Sequence, residues 1–437
     1  MNFGKVCKYL DYCLIFGIKP NLTRIEKILK LLGNPHKKLD FIHIVGTNGK
    51  TSTATILAYI LHQHGIRCGY HISPHINSYT ERFWICGEQI KPDRFTKLFN
   101  DIYQYIKEVN DLDLGGPITQ FEIIAAMAFK LAEEENLDVM VLEAGMGGRW
   151  DATNIADSKV VGLCGVSLEH TEILGNTISK IAQEKVEVIK NKAAVATLSN
   201  DRKVLDVLTR KVKETGSRLF IYNRDFRIIN SQSVDVGGWK LDIKSTAAEY
   251  RDLSLPLLGT YQPLNLSLAI VLAELYMDTV NKKVKEELLK DSLQGVKVLG
   301  RFEIIRSNPT VLADASHNPE GIINFIKNIN KYFKGANKIV IFAVLGDKDY
   351  KTMIADISKV SDVLILTSSQ TDRSLDIDTL ESEVKKILSI KKTDRSVPKE
   401  VYKIDNIRNS LNFALKISRS NDIICITGSI TNLEGIV

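Results

Sequence analysis

Residues 41–53 read FIHIVGTNGKTST, and no other stretch constrains the fold of this chain so tightly. An apolar, β-branched run leads into a glycine turn, then Lys50 and the hydroxyl residues Thr51, Ser52 and Thr53, and an amphipathic stretch follows over residues 54–65. Strand, glycine loop and helix in that order form a phosphate cradle. The loop amides and the helix N-terminus direct N–H groups at an anion, and Lys50 adds a full positive charge. Against the pattern G-x-x-x-x-G-K-[ST], Gly49, Lys50 and Thr51 fit; Ile44 stands at the first glycine position, and Gly46 supplies the flexibility two residues later. A GK[ST] tripeptide alone is common in ordinary turns. The flanking strand and helix favour phosphate binding by the loop Gly46, Thr47, Asn48, Gly49, Lys50, Thr51.

The same alternation continues downstream and predicts an α/β fold. Residues 138–145 (DVMVLEAG) and 160–166 are short, apolar and glycine-bounded, as buried parallel strands are. Helical periodicity marks 121–134, 178–190 and 264–276. Between them, 217–255 shows short alternating strands around a DVGG turn at 235–238, which predicts a small antiparallel patch. A new unit begins after Gly295. Strands are expected at 311–314, 338–344, 363–367, 401–404 and 423–427, separated by helices at 320–332, 350–360, 378–390 and 407–417. This reads as a smaller, doubly wound, Rossmann-like domain over 297–437, after a phosphate-loop domain over 1–296 with a mostly parallel sheet.

With 437 residues, there is material for two or three domains, each with a full core. A formal charge of +6 is small for that length, and the basic residues are scattered except for a modest cluster at 385–392, so nucleic-acid binding is not expected. The six cysteines show neither C-x-x-C nor zinc-ligand spacing and lie mostly in apolar runs, which favours a reducing compartment. No apolar run approaches a membrane span and no signal peptide is evident, so a cytoplasmic location is expected.

Chemistry-bearing residues gather where strands end. Glu143 closes one strand ahead of the glycine loop and Arg149, with Asp151 beyond, and a carboxylate there is placed to hold Mg2+ beside a phosphate. Glu169-His170-Thr171 ends the next strand. His170 there is a metal or phosphate ligand or a satisfied polar residue, and the pattern does not decide. Lys185 lies on an amphipathic helix, where a lysine is ordinarily a solvated charge. In the second unit Asp314-Ala-Ser-His-Asn-Pro319 ends a strand; Asp314 can accept from a ribose and His317 can meet a phosphate, although Asn-Pro alone signals a capping turn. Arg301 offers a cationic fork or a plain surface charge.

Taken together, the segments GTNGK, HISPH with YTERF, TQFE, VLEAGMGGRWDATN, EHTEILGNT, LPLLGTYQPLN, LGRFE, LADASHNP and LGDKD run in one order over nearly the whole chain. In that order the chain resembles the folylpolyglutamate synthase/dihydrofolate synthase branch of the Mur ligase superfamily. The 45 residues ahead of Gly46 are too few for the extra N-terminal domain of the peptidoglycan ligases. The resemblance implies an ATP-dependent ligase in which γ-phosphoryl transfer activates a pterin or folate carboxylate for attack by the amine of L-glutamate. Position by position it implies Gly49, Lys50 and Thr51 for ATP phosphates, and Asn265, Arg301 and Asp314 for nucleotide held between the domains. It further implies Ser73, Glu143, His170 and a carbamylated Lys185 for two Mg2+ ions, with Lys50, Lys185 and His317 catalytic. Thr119, Gln120, Phe121, Glu122, Trp150, Asp151 and Ala152 match pterin positions, and the family leans toward monomers.

The chain also departs from the branch. GTNGKTS replaces the usual GTNGKGS; Val-Glu-Val follows Lys185 in place of Ala-Gly-Ile, bringing Glu187 near a carbamate; Tyr261 stands where His is usual, Glu169 where Asp is, and Ser316 where Ala is. Two alternatives therefore stand beside the folate ligase: a Mur-type ligase with a different carboxylate acceptor, and a nucleotide-binding regulator without turnover.

Overall fold

The computed structural model describes residues 1–17, 19–369, 371–390 and 398–437. Lys391 and Lys392 of the basic cluster lie outside these. Lys385 and Lys386 pair with Glu381 and Glu383 of their own helix at 3.0 and 2.7 Å, which is ordinary surface pairing. The chain divides into two compact units. The first comprises Met1–Gln232, Trp239–Pro256 and Gln262–Val296; the second comprises Ser233–Gly238, Leu257–Tyr261 and Lys297–Val437.

The first unit is built on eight strands: β1 (Asp40–Val45), β2 (Cys68–His71), β3 (Phe83–Ile85), β4 (Glu88–Gln89), β5 (Val139–Glu143), β6 (Val160–Leu163), β7 (Ala194–Thr197) and β8 (Arg218–Ile221), in the order β4-β3-β2-β5-β1-β6-β7-β8. The pairs from β2 across to β8 are parallel, while β3 and β4 form an antiparallel edge. β5 and β6 are buried along their whole length and β1 along all but Asp40, so their uninterrupted apolar runs follow from having both sheet faces covered. Phe41 packs edge-on against Phe129 of the helix Gln120–Glu134. The opposite face is covered by Lys50–Gln63 and Gln262–Thr279, the second of which is apolar nearly all round and buried accordingly. Register pairs Ile44 with Glu143 on one side and with Gly162 on the other. The strand ends carrying the phosphate loop, Glu143 and the 164–170 segment therefore share one carboxyl edge.

The antiparallel patch is smaller than its sequence suggests. Arg218–Ile221 pairs parallel with β7, because it follows the helix Arg202–Thr215 through Gly216 and so completes a crossover, which returns a strand in parallel. A separate sheet remains, of β9 (Arg227–Ser233), β10 (Trp239–Lys244) and β11 (Glu249–Leu255), with β10 and β11 antiparallel and β9 joined to β10 through Asp235–Gly237.

The second unit has strands β12 (Glu303–Ser307), β13 (Thr310–Ala313), β14 (Lys338–Phe342), β15 (Val363–Leu366), β16 (Glu400–Lys403) and β17 (Ile423–Thr427), in the order β12-β13-β17-β14-β15-β16. All pairings are parallel except β12 with β13. Pro319–Tyr332, Tyr350–Ser358, Ile377–Ile390 and Ile407–Ile417 are the crossover helices. Leu312, Val340, Phe342, Leu364 and Cys425 form the centre of its core.

Candidate active site

β1 delivers the chain into a loop that only glycine permits at two points. Gly46 has φ 150° and Gly49 φ 91°, and a Cβ on Gly49 would stand 2.6 Å from Oδ1 of Asn265. Thr47 is tied to the end of β6: its amide donates to Gly165 O at 2.8 Å, and its hydroxyl oxygen accepts from Ser167 N at 3.1 Å. Gly49 caps the helix Lys50–Gln63, whose first amides face the loop. The Lys50 ammonium donates to the carbonyls of Gly46 and Thr47, at 3.1 and 3.0 Å. Asn265 donates to Gln262, which in turn donates to Ser52, so the first turn of the helix Gln262–Thr279 braces the loop.

Glu143, 2% exposed, is the other pole of the site. The Thr51 hydroxyl donates to both of its oxygens at 3.1 Å, and the Ser73 amide donates to Oε2 at 3.2 Å. Lys185, 3% exposed, reaches Gly46 O at 2.9 Å, which places its amine under the phosphate loop and not in solvent. Burial, reinforced by the Lys50 charge, brings its pKa down to about 7. Glu187 is turned away to Arg149 at 3.3 Å and Lys211 at 3.0 Å. His170 adopts a left-handed backbone at the start of the short helix Thr171–Leu174, with Nε2 3.7 Å from the Glu169 carboxylate. Among the described residues no three His, Cys, Asp or Glu side chains form a ready-made metal cage. The oxygen donors at Glu143 and Thr51 nevertheless suit Mg2+, which takes one or two protein carboxylates together with phosphate and water.

The residues matched to pterin binding split into two kinds. Thr119 and Glu122 form a capping box on Gln120–Glu134, and Glu122 also takes a 3.1 Å bond from buried Arg24. Their side chains hold the helix end in place. Gln120 donates to the Tyr79 hydroxyl, and the Phe121 ring lies against Gly145. Asp151 accepts from Met146 N at 2.9 Å and Thr153 N at 3.0 Å, which pins the glycine loop; burial raises its pKa. The Thr153 hydroxyl donates to Asp151, so Nε2 of buried His43 is the donor in the 2.8 Å contact to Thr153. Ala152 is buried, whereas Trp150 is 51% exposed.

In the second unit Asp314, buried at the end of β13, accepts from Phe302 N at 2.9 Å and Ser316 N at 3.0 Å, and burial raises its pKa. His317 Nδ1 lies 2.9 Å from Ala315 O, while Asn318 caps the following helix. Asp314 and Arg301 both act on the Tyr261 phenol, whose pKa is raised chiefly by burial. Sequence pattern did not single out Arg24, His43 or Thr153. A charged or imidazole side chain inside an apolar run (TRIEKILKL, FIHIV) was the available signal.

The sequence matches the Mur ligase middle domain over residues 44–273 and the Mur ligase glutamate ligase domain over 300–430. It is 31% identical to the dihydrofolate synthase/folylpolyglutamate synthase of Mycobacterium tuberculosis, over 92% of this chain and 83% of that one. The crystal structure of that organism's folylpolyglutamate synthase complexed with ADP superposes with a TM-score of 0.90 at 30% identity, covering 98% of this chain and 96% of the other. A folylpolyglutamate synthase complex with AMPPCP and folate gives 0.85 at 26% identity, covering 100% and 98%. The chain belongs to the Mur ligase family, within its folylpolyglutamate synthase/dihydrofolate synthase branch.

Proposed function

We propose that this protein is an ATP-dependent ligase that joins L-glutamate to the carboxylate of dihydropteroate, of reduced folates, or of both, releasing ADP and phosphate. The observation that carries the reading is the convergence of Lys50, Thr51, Glu143 and Lys185 on one phosphate loop in a chain of this family. A switch protein has no need of a buried carboxylate and a buried amine at the same strand ends.

The cradle 46–51 binds the ATP phosphates, and Lys50 exchanges its carbonyl contacts for them. The γ-phosphoryl group passes to the acceptor carboxylate, the amine of glutamate attacks the acyl phosphate, and phosphate leaves. The protein's part is alignment and charge neutralisation. Glu143, Ser73, His170 and a carbamylated Lys185 would hold two Mg2+ ions, which when bound neutralise charge on the transferring group. An amine with pKa about 7 is substantially unprotonated at neutral pH, as carbamylation by CO2 requires. With Glu187 engaged by Arg149 and Lys211, its charge is compensated beside that position. Residues 1–296 would bind nucleotide and pterin. In the 297–437 domain, Arg301 and Asp314 would serve the nucleotide, and His317 the glutamate or phosphate.

No described helix is long and apolar enough to cross a membrane. All six cysteines are free thiols, which suits a reducing, cytoplasmic location; the protein would work as a monomer on small molecules. The decisive experiment measures ADP release and labelled glutamate incorporation with dihydropteroate and tetrahydrofolate side by side. Incorporation with at least one acceptor is expected. None with either would overturn the folate assignment and leave an unidentified carboxylate acceptor.

A further inference from the structure

Arg82 is a buried cation without an anion. It ends the turn Tyr79–Arg82 and is 5% exposed, yet among the described residues it makes no ion pair. Its Nε donates to Nδ1 of His75 at 2.8 Å, and its guanidinium carbon lies 5.4 Å from the Tyr79 ring centre. Neither contact takes up the two terminal nitrogens. Carboxylates are near, but they are engaged elsewhere. Glu81 accepts from the amides of Ile76, Asn77 and Ser78 at 2.7–2.8 Å. Asp11 accepts from the Tyr79 hydroxyl at 2.6 Å, and Glu143 is bonded to Thr51 and Ser73.

A guanidinium withdrawn from water without a carboxylate is among the costlier arrangements a fold can keep. Its planar fork suits an oxyanion bound in two-point fashion. The surroundings indicate which oxyanion. Arg82 lies within electrostatic reach of Glu143, on the phosphate side, and its own ring partner Tyr79 accepts from Gln120, one of the pterin-matched residues. Arg82 thus stands between the proposed phosphate end and the proposed pterin end.

We propose that Arg82 binds the carboxylate of the acceptor substrate and sets the requirement for an anionic acceptor. The inference rests on the ligase reading above. Arg82 holds the carboxylate before phosphoryl transfer and offsets its charge as it approaches the nucleotide phosphates.

The test compares wild type with Arg82→Met and Arg82→Lys, using dihydropteroate (or tetrahydrofolate, if only that acceptor is used) and its carboxamide as a competing ligand. Wild type is expected to prefer the carboxylate over the amide by about 10- to 150-fold, the range for a hydrogen bond to a charged group. Arg82→Met should erase that preference and raise KM for the acceptor by a similar factor, with KM for ATP within about twofold. Arg82→Lys, which keeps charge but loses the fork, should fall between. A second readout runs in the opposite direction: with no ligand bound, Arg82→Met should unfold at the same or a higher denaturant concentration, because it removes an uncompensated buried charge. A purely structural arginine would be destabilised instead. If Arg82→Met weakens AMPPCP relative to ADP while acceptor discrimination survives, the γ-phosphoryl group is the anion and the proposal is overturned. An unchanged acceptor KM in an active enzyme overturns it too. A wild-type enzyme with no activity on either acceptor removes the ligase reading itself, a distinguishable failure.

Discussion

Thr51 stands where the folate branch usually has glycine, and its hydroxyl donates to both oxygens of Glu143 at 3.1 Å. Thr51→Val removes that donor while keeping the branched shape and nearly the same helix propensity. Glu143 retains the Ser73 amide, so the carboxylate loses one charge-assisted contact and keeps another. A hydrogen bond to a charged group contributes about 1.5–3 kcal/mol, which corresponds to a fall in kcat/KM of about 10- to 150-fold. Thr51→Ser should recover most of the loss. Thr51→Gly should lose the contact and also lower folding stability by up to about 1 kcal/mol, because glycine near a helix start costs backbone entropy. The assay is phosphate release across an Mg2+ titration, with denaturant unfolding as the check on folding. Should Thr51→Val stay within threefold of wild type at every Mg2+ concentration, the hydroxyl has no part in orienting Glu143.

Other expectations follow from the same geometry. Arg24→Met leaves Glu122 buried without its cation and should cost about 3–5 kcal/mol in denaturant unfolding, with the further change Glu122→Gln restoring part of it. Gly49→Ala would drive a Cβ to 2.6 Å from Asn265 at φ 91°, so nucleotide affinity should fall at least tenfold by equilibrium titration while Gly4→Ala, at an open position, leaves it unchanged. His43 is held neutral by burial, its pKa falling from 6.5 to about 3. The unfolded chain therefore binds the extra proton, and stability should fall as pH drops from about 6.5 toward 3, by up to about 1.4 kcal/mol per pH unit. His43→Asn should flatten that slope in acid unfolding curves. Enzyme stripped of CO2 should lose activity and regain it with bicarbonate, whereas Lys185→Ala should be inactive under both conditions.

Much of the fold was legible because its strands are buried on both sides. Runs such as VMVL and IICIT have one interpretation when glycine bounds them and helical periodicity lies between. Arg218–Ile221 was misread for the complementary reason. RLFI carries no mark of which strand it will join, and the preceding helix, not the local pattern, imposes its parallel direction. At the site, motif order singled out Lys50, Glu143 and Lys185, and the fold brings all three to one loop. What the motifs could not convey is direction. Thr51 turning to Glu143, Lys185 turning beneath Gly46, and Glu187 turning to Arg149 all depend on contacts between residues far apart in sequence. Arg82 lies inside the quoted motif YTERF, but its lack of an ion pair among the described residues appears only once the engagements of Glu81, Asp11 and Glu143 are known.

The bracing of the phosphate loop by Gln262 and Asn265 bears on the order of events during synthesis. Ser52 and Gln262 are 210 residues apart, yet the cradle's inner wall includes that late helix. A ribosome must therefore have released the chain well past Asn265 before the first strand, loop and helix can close on a nucleotide. Contacts of such long range make closure slow compared with the local turns. ATP, as a ligand of the finished cradle alone, would then act as a late stabiliser, favouring chains whose first domain is complete over partly made ones.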